Sequence, residues 1–275
     1  MPNEKTTLIT LLQRKSCREQ FENILGVDNT PRFIANLSTL YTQSELLKKC
    51  DPLSILSAAK LAASLDLSIS PNLGYAYIVP YGEKAQLQIS ARGLIQLAHR
   101  TGQYLKITSN VIHEGEIRHV DPITGEYEIG EKISDNVIGY SAYFELKNGF
   151  KAMLYMTKEE IEKHATAYSK AYQYDKKSGK KSSPWTTNFD SMAKKTVLKK
   201  LLREYGPCST LMESAISADQ AAISPKGNSY IDSPDDDTIQ LETIDVEEQT
   251  VEEPAAEIVN NETGEVMNNS QPLFG

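Results

Sequence analysis

Hydrophobic residues recur at helical spacing from about residue 6 to 25, where Leu8, Ile9, Leu11, Leu12, Phe21, Ile24 and Leu25 gather and Gly26 ends the pattern. Such an amphipathic segment either packs on the chain's own core or grips a neighbouring copy. A second helical stripe follows, with Phe33, Ile34, Leu37 and Leu40 on one face. Asp51-Pro52 then reads as a helix start, because an aspartate can cap and proline suits the first turn. The alanine-rich run beyond it allows close helix packing and ends near Asp66.

The period changes after the turn cluster Pro71-Asn72-Leu73-Gly74. Tyr75 to Pro80 reads as a strand, Tyr81-Gly82-Glu83-Lys84 as a bend, and Ala85 to Ser90 as the returning strand. Alternation places Leu87 and Ile89 inward, Gln86 and Gln88 outward. A short helix over Arg92 to Arg100 ends at Gly102, with Leu94, Ile95, Leu97 and Ala98 on one side and Arg92, Gln96 and Arg100 on the other. Those arginines are either ordinary surface residues or part of a polar wall that continues from the hairpin.

Further β-like stretches run over Leu105–Glu114, Glu126–Ile129, Val137–Leu146 and Phe150–Met156, the last two joined by the hairpin signal Asn148-Gly149. Thr157 and Glu160 form a capping-box pair at the start of a helix. Residues Tyr168 to Ser183 are rich in tyrosine and lysine and carry Gly179, which predicts a flexible loop. Aromatics among cations can stack on bases while neutralising phosphates, or the segment is simply solvated.

The most charged helix follows the turn at Ser183-Pro184-Trp185. Val197, Leu198, Leu201 and Tyr205 share one side, while Lys195, Lys199 and Arg203 step along the opposite side at i, i+4, with Lys200 beside them. Lys194 points nearer the apolar side. Like charges stacked this way repel, so the row is either a solvated face or the seat of a polyanion such as a phosphate backbone.

Composition sharpens this picture. The net charge of −8 is unevenly distributed: residues 225–275 hold one basic residue against thirteen acidic ones, which leaves the first 224 residues at +4. Ser141 to Tyr205 alone carries fourteen basic and seven acidic residues. A modestly basic body is therefore followed by a polar acidic tail with few aromatics, for which disorder is expected. Cys17, Cys50 and Cys208 are far apart and match no metal spacing, and the four histidines do not cluster. No apolar run is long enough to span a membrane, and Met-Pro-Asn-Glu-Lys lacks the apolar block of a signal peptide, so a cytoplasmic location is expected, which the resemblance given below places in a bacterial host cell. There is no glycine-rich loop followed by Lys-Ser/Thr, and the carboxylates show no catalytic pairing, so neither ATP use nor any other cofactor is expected and the chain is read as no enzyme. A nuclease is the least favoured reading.

In order along the chain stand Arg32-Phe33, Cys50-Asp51-Pro52-Leu53-Ser54, Leu73-Gly74-Tyr75-Ala76-Tyr77-Ile78-Val79-Pro80-Tyr81-Gly82, Arg92-Gly93-Leu94-Ile95-Gln96-Leu97-Ala98, Trp185-Thr186-Thr187 and Met192-Ala193-Lys194-Lys195-Thr196-Val197-Leu198. This series resembles the RecT family of phage and prophage single-strand annealing recombinases, over roughly residues 6 to 222. The resemblance implies an α+β fold: a RecT/Redβ-like core of β-hairpin plus helix with a small antiparallel sheet, flanked by helices. It implies an ATP-independent protein of homologous recombination that coats single-stranded DNA and pairs it with its complement. Its partners would be single-stranded and annealed duplex DNA, further copies of itself in a ring or helical filament, an exonuclease that resects ends, and a host single-strand binding protein. A DNA-coating or architectural protein without annealing activity is the alternative.

The chain is accordingly divided into residues 1–30, a helical arm and the candidate for contact with a neighbouring protomer, 31–224, the annealing core, and 225–275, an acidic tail outside the resemblance whose composition predicts disorder. The DNA groove would have a wall bearing Lys84, Gln88, Arg92 and Arg100, and a floor of Lys195, Lys199 and Arg203 with Lys194 nearby. Trp185, Thr186 and Thr187 would shape the turn into that helix, where Trp185 either stacks on a base or, as favoured, anchors the turn in the core. The tail's end, Gln271-Pro272-Leu273-Phe274-Gly275, resembles the acidic, phenylalanine-ended tips of bacterial single-strand binding proteins.

Overall fold

A computed structural model describes residues 7–121, 125–207, 209–219, 221–224 and 227–230 of the chain. The N-terminal stripe folds as two helices, α1 (Leu8–Leu12) and α2 (Lys15–Leu25). Thr7 caps α1 through its side chain. Leu8, Leu12, Cys17 and Phe21 are all buried in the main core, so the apolar face of the segment is used within the chain. This is the first of the two alternatives left open by the pattern, and the inter-protomer role expected of residues 1–30 loses that face. Phe21 meets Phe33 of α3 (Thr30–Gln43) with ring centroids 5.6 Å apart. A short α4 (Glu45–Lys48) follows, and then α5 (Pro52–Ser64), whose N-terminus is capped by the Asp51 carboxylate accepting from the Leu53 N–H.

The hairpin forms as expected from β1 (Ala76–Tyr81) and β2 (Lys84–Ile89), in register from Ala76 opposite Ile89 to Tyr81 opposite Lys84. Its bend is a two-residue turn in which Gly82 takes a positive φ of 59°, a conformation glycine adopts without strain. One expectation fails here: Gln86 is buried along with Ala85, Leu87 and Ile89. Two-faced alternation assumes that one side of the hairpin meets water, whereas β2 packs both on α5 and beside a later strand. The helix α6 (Ala91–Arg100) starts at once from the hairpin, with the Ser90 hydroxyl accepting from the Gly93 N–H.

The main sheet is antiparallel, with β6 (Val137–Leu146) between β3 (Tyr104–His113) and β7 (Lys151–Thr157). A separate ribbon pairs β4 (Ile117–Val120) with β5 (Tyr127–Ile129). Thr157 and Glu160 close the capping box that opens α7 (Lys158–Tyr168). The segment expected to be a loop is instead a helix, α8 (Lys170–Ser178), ended by Gly179 with φ 69°. Its sequence offers little amphipathic signal because only Tyr172 and Asp175 turn inward. Beyond it lie α9 (Pro184–Thr187) and the long α10 (Phe189–Tyr205), which crosses the main sheet and also touches α6. The final helical piece, expected over 208–223, is the shorter α11 (Thr210–Ala218), and the chain then turns to β8 (Ala221–Ser224) paired with β9 (Gly227–Tyr230). The chain thus combines helices with small antiparallel sheets, a mixed α/β fold consistent with the RecT-like architecture expected from the sequence. Beyond 227–230, which pair as β9, the acidic tail with its Leu273-Phe274 tip lies outside the described residues. Cys208 lies outside them as well.

Candidate nucleic-acid interface

The basic helix α10 is more deeply set than its own sequence implies. Met192, Ala193, Val197, Leu198, Leu201 and Leu202 are buried, and so is Lys195, which keeps only 5% of its surface exposed. Tyr205, expected on the apolar side, is half exposed at the helix end. The partner that permits a buried lysine comes from twenty-four residues on. Asp219, at the C-terminal end of α11, accepts from Lys195 Nζ at 2.9 Å and from Lys199 Nζ at 3.3 Å, and the same carboxylate takes the Ile89 N–H of the hairpin at 2.9 Å. Burial pushes the Asp219 carboxyl up, but the two ammonium groups and the amide together outweigh it, and the net direction is below the ordinary value. An ion-pair node therefore joins α10, the α11 end and β2. Gln88 lies alongside, its amide 3.9 Å from Met192 Sδ of α10. The expected wall and floor are thus neighbours, but Lys195 faces inward rather than outward. Helical spacing could not disclose this, because the counter-charge lies in another element.

The remaining expected residues fall into two groups. Lys84 and Arg92 are exposed, and the Arg92 guanidinium carbon sits 5.9 Å from the centroid of the Tyr75 ring. Arg203 is exposed, Lys194 is half-buried, and Lys199 keeps part of its side chain open to solvent while paired. The others serve the scaffold. Arg100 donates to the Leu65 and Asp66 carbonyls at 3.0 and 2.6 Å and pairs with the Asp66 carboxylate at 3.4 Å, closing the end of α5. Trp185 is buried among Phe189, Tyr172 and His164, which agrees with the anchoring role. Thr186 donates to Asp175 at 2.6 Å and Thr187 to the Ser183 carbonyl at 3.0 Å, so both hydroxyls hold the turn.

Sequence reasoning noticed the lysines and tyrosines around residue 175 but placed none among the candidate site residues. Asp175 is buried and gathers the Ser182 N–H and hydroxyl, the Ser183 N–H and the Thr186 hydroxyl, all between 2.6 and 2.9 Å. The hydroxyl bonds of Ser182 and Thr186 come first in holding its carboxyl well below the usual range. The signal was present in the order Asp, then Gly, then Ser-Ser-Pro, a side chain able to cap its own following turn. Among the described residues no cluster of His, Cys, Asp and Glu is placed to hold a metal ion, and no helix is long and apolar enough to cross a membrane.

The model of the RecT family matches residues 31–237. The chain belongs to the RecT family. It is 46% identical over 212 residues to a Bacillus subtilis (strain 168) protein, the uncharacterized YqaK, covering 76% of this chain and 71% of that one. It is 30% identical over 234 residues to Protein RecT of Escherichia coli (strain K12), covering 79% and 81%. RecT-family proteins are annealases and not enzymes in the usual sense, and single-stranded DNA binding and annealing is their typical activity. The match begins at α3 and extends through β9, so the hairpin, the main sheet and the Asp219 node all lie within it.

Proposed function

We propose that this chain is an ATP-independent single-stranded DNA-binding and annealing protein of homologous recombination. It oligomerises on DNA as a ring or helical filament and pairs complementary strands through phosphate contacts in a basic groove. The observation that carries this is the RecT-family match across 31–237, the same span in which Asp219 ties the hairpin to the lysine-bearing helix. Lys84, Gln88, Arg92, Lys194, Lys199 and Arg203 are the groove residues in this reading. Lys195, Arg100, Trp185, Thr186 and Thr187 act behind it by keeping wall, floor and turn in place. The annealing core is assigned to residues 31–224, an exonuclease and a host single-strand binding protein are the expected partners, and the site of action is the bacterial cytoplasm.

Annealing requires that the repulsion between two backbones be cancelled while base edges stay free. Lysine and arginine on phosphates do this without reading sequence. Binding would weaken with salt by about 0.7 log units per log unit of salt for each phosphate neutralised on a single strand. Mixing two complementary labelled strands with the protein, without nucleotide, tests the proposal. Accelerated duplex formation, reduced by Lys84→Ala with Arg92→Ala, is the expected result. Strand binding with no acceleration would instead favour the coating protein.

A further inference from the structure

The twelve residues from Lys170 to Lys181 hold five lysines and a single carboxylate. That carboxylate, Asp175, is buried and fully engaged by Ser182, Ser183 and Thr186, so it offers no counter-charge at the surface. Among the described residues, no carboxylate lies within ion-pair distance of Lys176, Lys177, Lys180 or Lys181. The C-terminal end of α8 gives a structural reason for Lys176 and Lys177, since cations there are favoured by the helix dipole. It gives none for Lys180 and Lys181, which lie beyond the left-handed Gly179. Tyr174, on the same helix, keeps 54% of its surface exposed. Lys180 Nζ lies 5.7 Å from its ring centroid and 3.3 Å from its hydroxyl. The Asp175 bonds hold the chain on both sides of Gly179, so the lysines are presented from a fixed turn.

We propose that α8 and the turn behind it form a second nucleic-acid contact. It takes a stretch of single-stranded DNA, with phosphates on Lys177, Lys180 and Lys181 and an unpaired base stacked on Tyr174. Charge complementarity selects a polyanion, and the exposed aromatic ring selects an unpaired strand, because a base within a duplex has no free face to offer it. The inference rests on the single-strand-binding reading above and adds to it a surface outside the hairpin and α10.

The test uses the full chain and a fluorescent single-stranded oligonucleotide, with binding followed by anisotropy across a salt series. Tyr174→Ala should weaken binding roughly 5- to 150-fold, the span expected for losing one base–aromatic stack. Tyr174→Phe, which keeps the ring, should bind like the unmodified chain. Lys177→Ala with Lys181→Ala should flatten the log–log salt slope by about 1.4, two phosphates' worth. All these positions are exposed, and unchanged thermal melting confirms that the fold is kept. Variants that bind as tightly and with the same slope as the unmodified chain overturn the second contact, while its normal binding leaves the groove reading standing. Tyr174→Phe failing as badly as Tyr174→Ala removes the stacking role and overturns the proposal. An unmodified chain that does not bind the oligonucleotide at all sinks both readings.

Discussion

Asp219 is where a single side chain decides most. It takes Lys195 and Lys199 from α10 and the Ile89 amide from β2, and it is almost wholly enclosed. Replacing it by alanine takes the paired carboxylate away from the buried Lys195 ammonium, a loss on the order of 3–5 kcal/mol. Asp219→Ala should therefore lower the urea midpoint sharply, and a midpoint within error of the unmodified chain would show that Lys195 does not depend on this carboxylate. The pH dependence has a definite sign. The folded carboxyl is held below its unfolded value near 4, so its stabilisation is complete at neutral pH and is lost as pH falls below about 4 and through the folded value. Asp175 has the same sign. At the alkaline end, burial pushes the Tyr104 phenol up to about 12. Its stabilisation is intact below the ordinary tyrosine value near 10 and disappears as pH rises toward 12. Melting temperature against pH, with the Asp219→Ala variant alongside, reads the acid limb directly, since that limb should be shallower in the variant.

At the scale of elements, the packing of α6 on the hairpin depends on a missing side chain. A Cβ at Gly93 would lie 2.2 Å from the Tyr75 carbonyl oxygen and 2.8 Å from Ile89 Cγ2. Alanine ordinarily gains about 1 kcal/mol over glycine inside a helix. Here the clash is with backbone that cannot yield cheaply, so Gly93→Ala should destabilise by about 1–3 kcal/mol in chemical denaturation. A stabilised variant would mean that α6 can move off the strand. The elements themselves were largely legible. The hairpin, β6, the capping box of α7 and the Asp51-Pro52 start of α5 each announce themselves through local turn or cap chemistry. What stayed hidden depends on partners distant in sequence. Gln86 looks outward until α5 and β8 are packed on both sides of β2, and Lys195 looks like a surface cation until α11 brings Asp219 beneath it. The α8 segment reads as a loop because its inward residues are one tyrosine and one aspartate, too few for an amphipathic stripe.

At the scale of the whole molecule, the proposed oligomer raises the question of which surfaces remain for it. The apolar face of the N-terminal arm is occupied in the chain's own core, so Phe21→Ala should cost about 3–5 kcal/mol of stability rather than simply producing monomers. If residues 1–30 also contact a neighbour, the large apolar side chains that the described part of this segment leaves exposed are Ile24 at 41% and Val27 at 70%. Val27→Asp separates the two roles. Exposed substitutions of this kind change stability by no more than about 0.5 kcal/mol, so its melting curve should overlay that of the unmodified chain. A charge placed in an interface between copies would repel or remain unpaired there. Assemblies on a long single strand, sized by light scattering or counted in electron micrographs, should then be shorter at equal protein concentration. Assemblies of unchanged length would exclude Val27 from the contact between protomers and move the search to the apolar residues Leu46 and Leu53, which α4 and α5 also leave exposed.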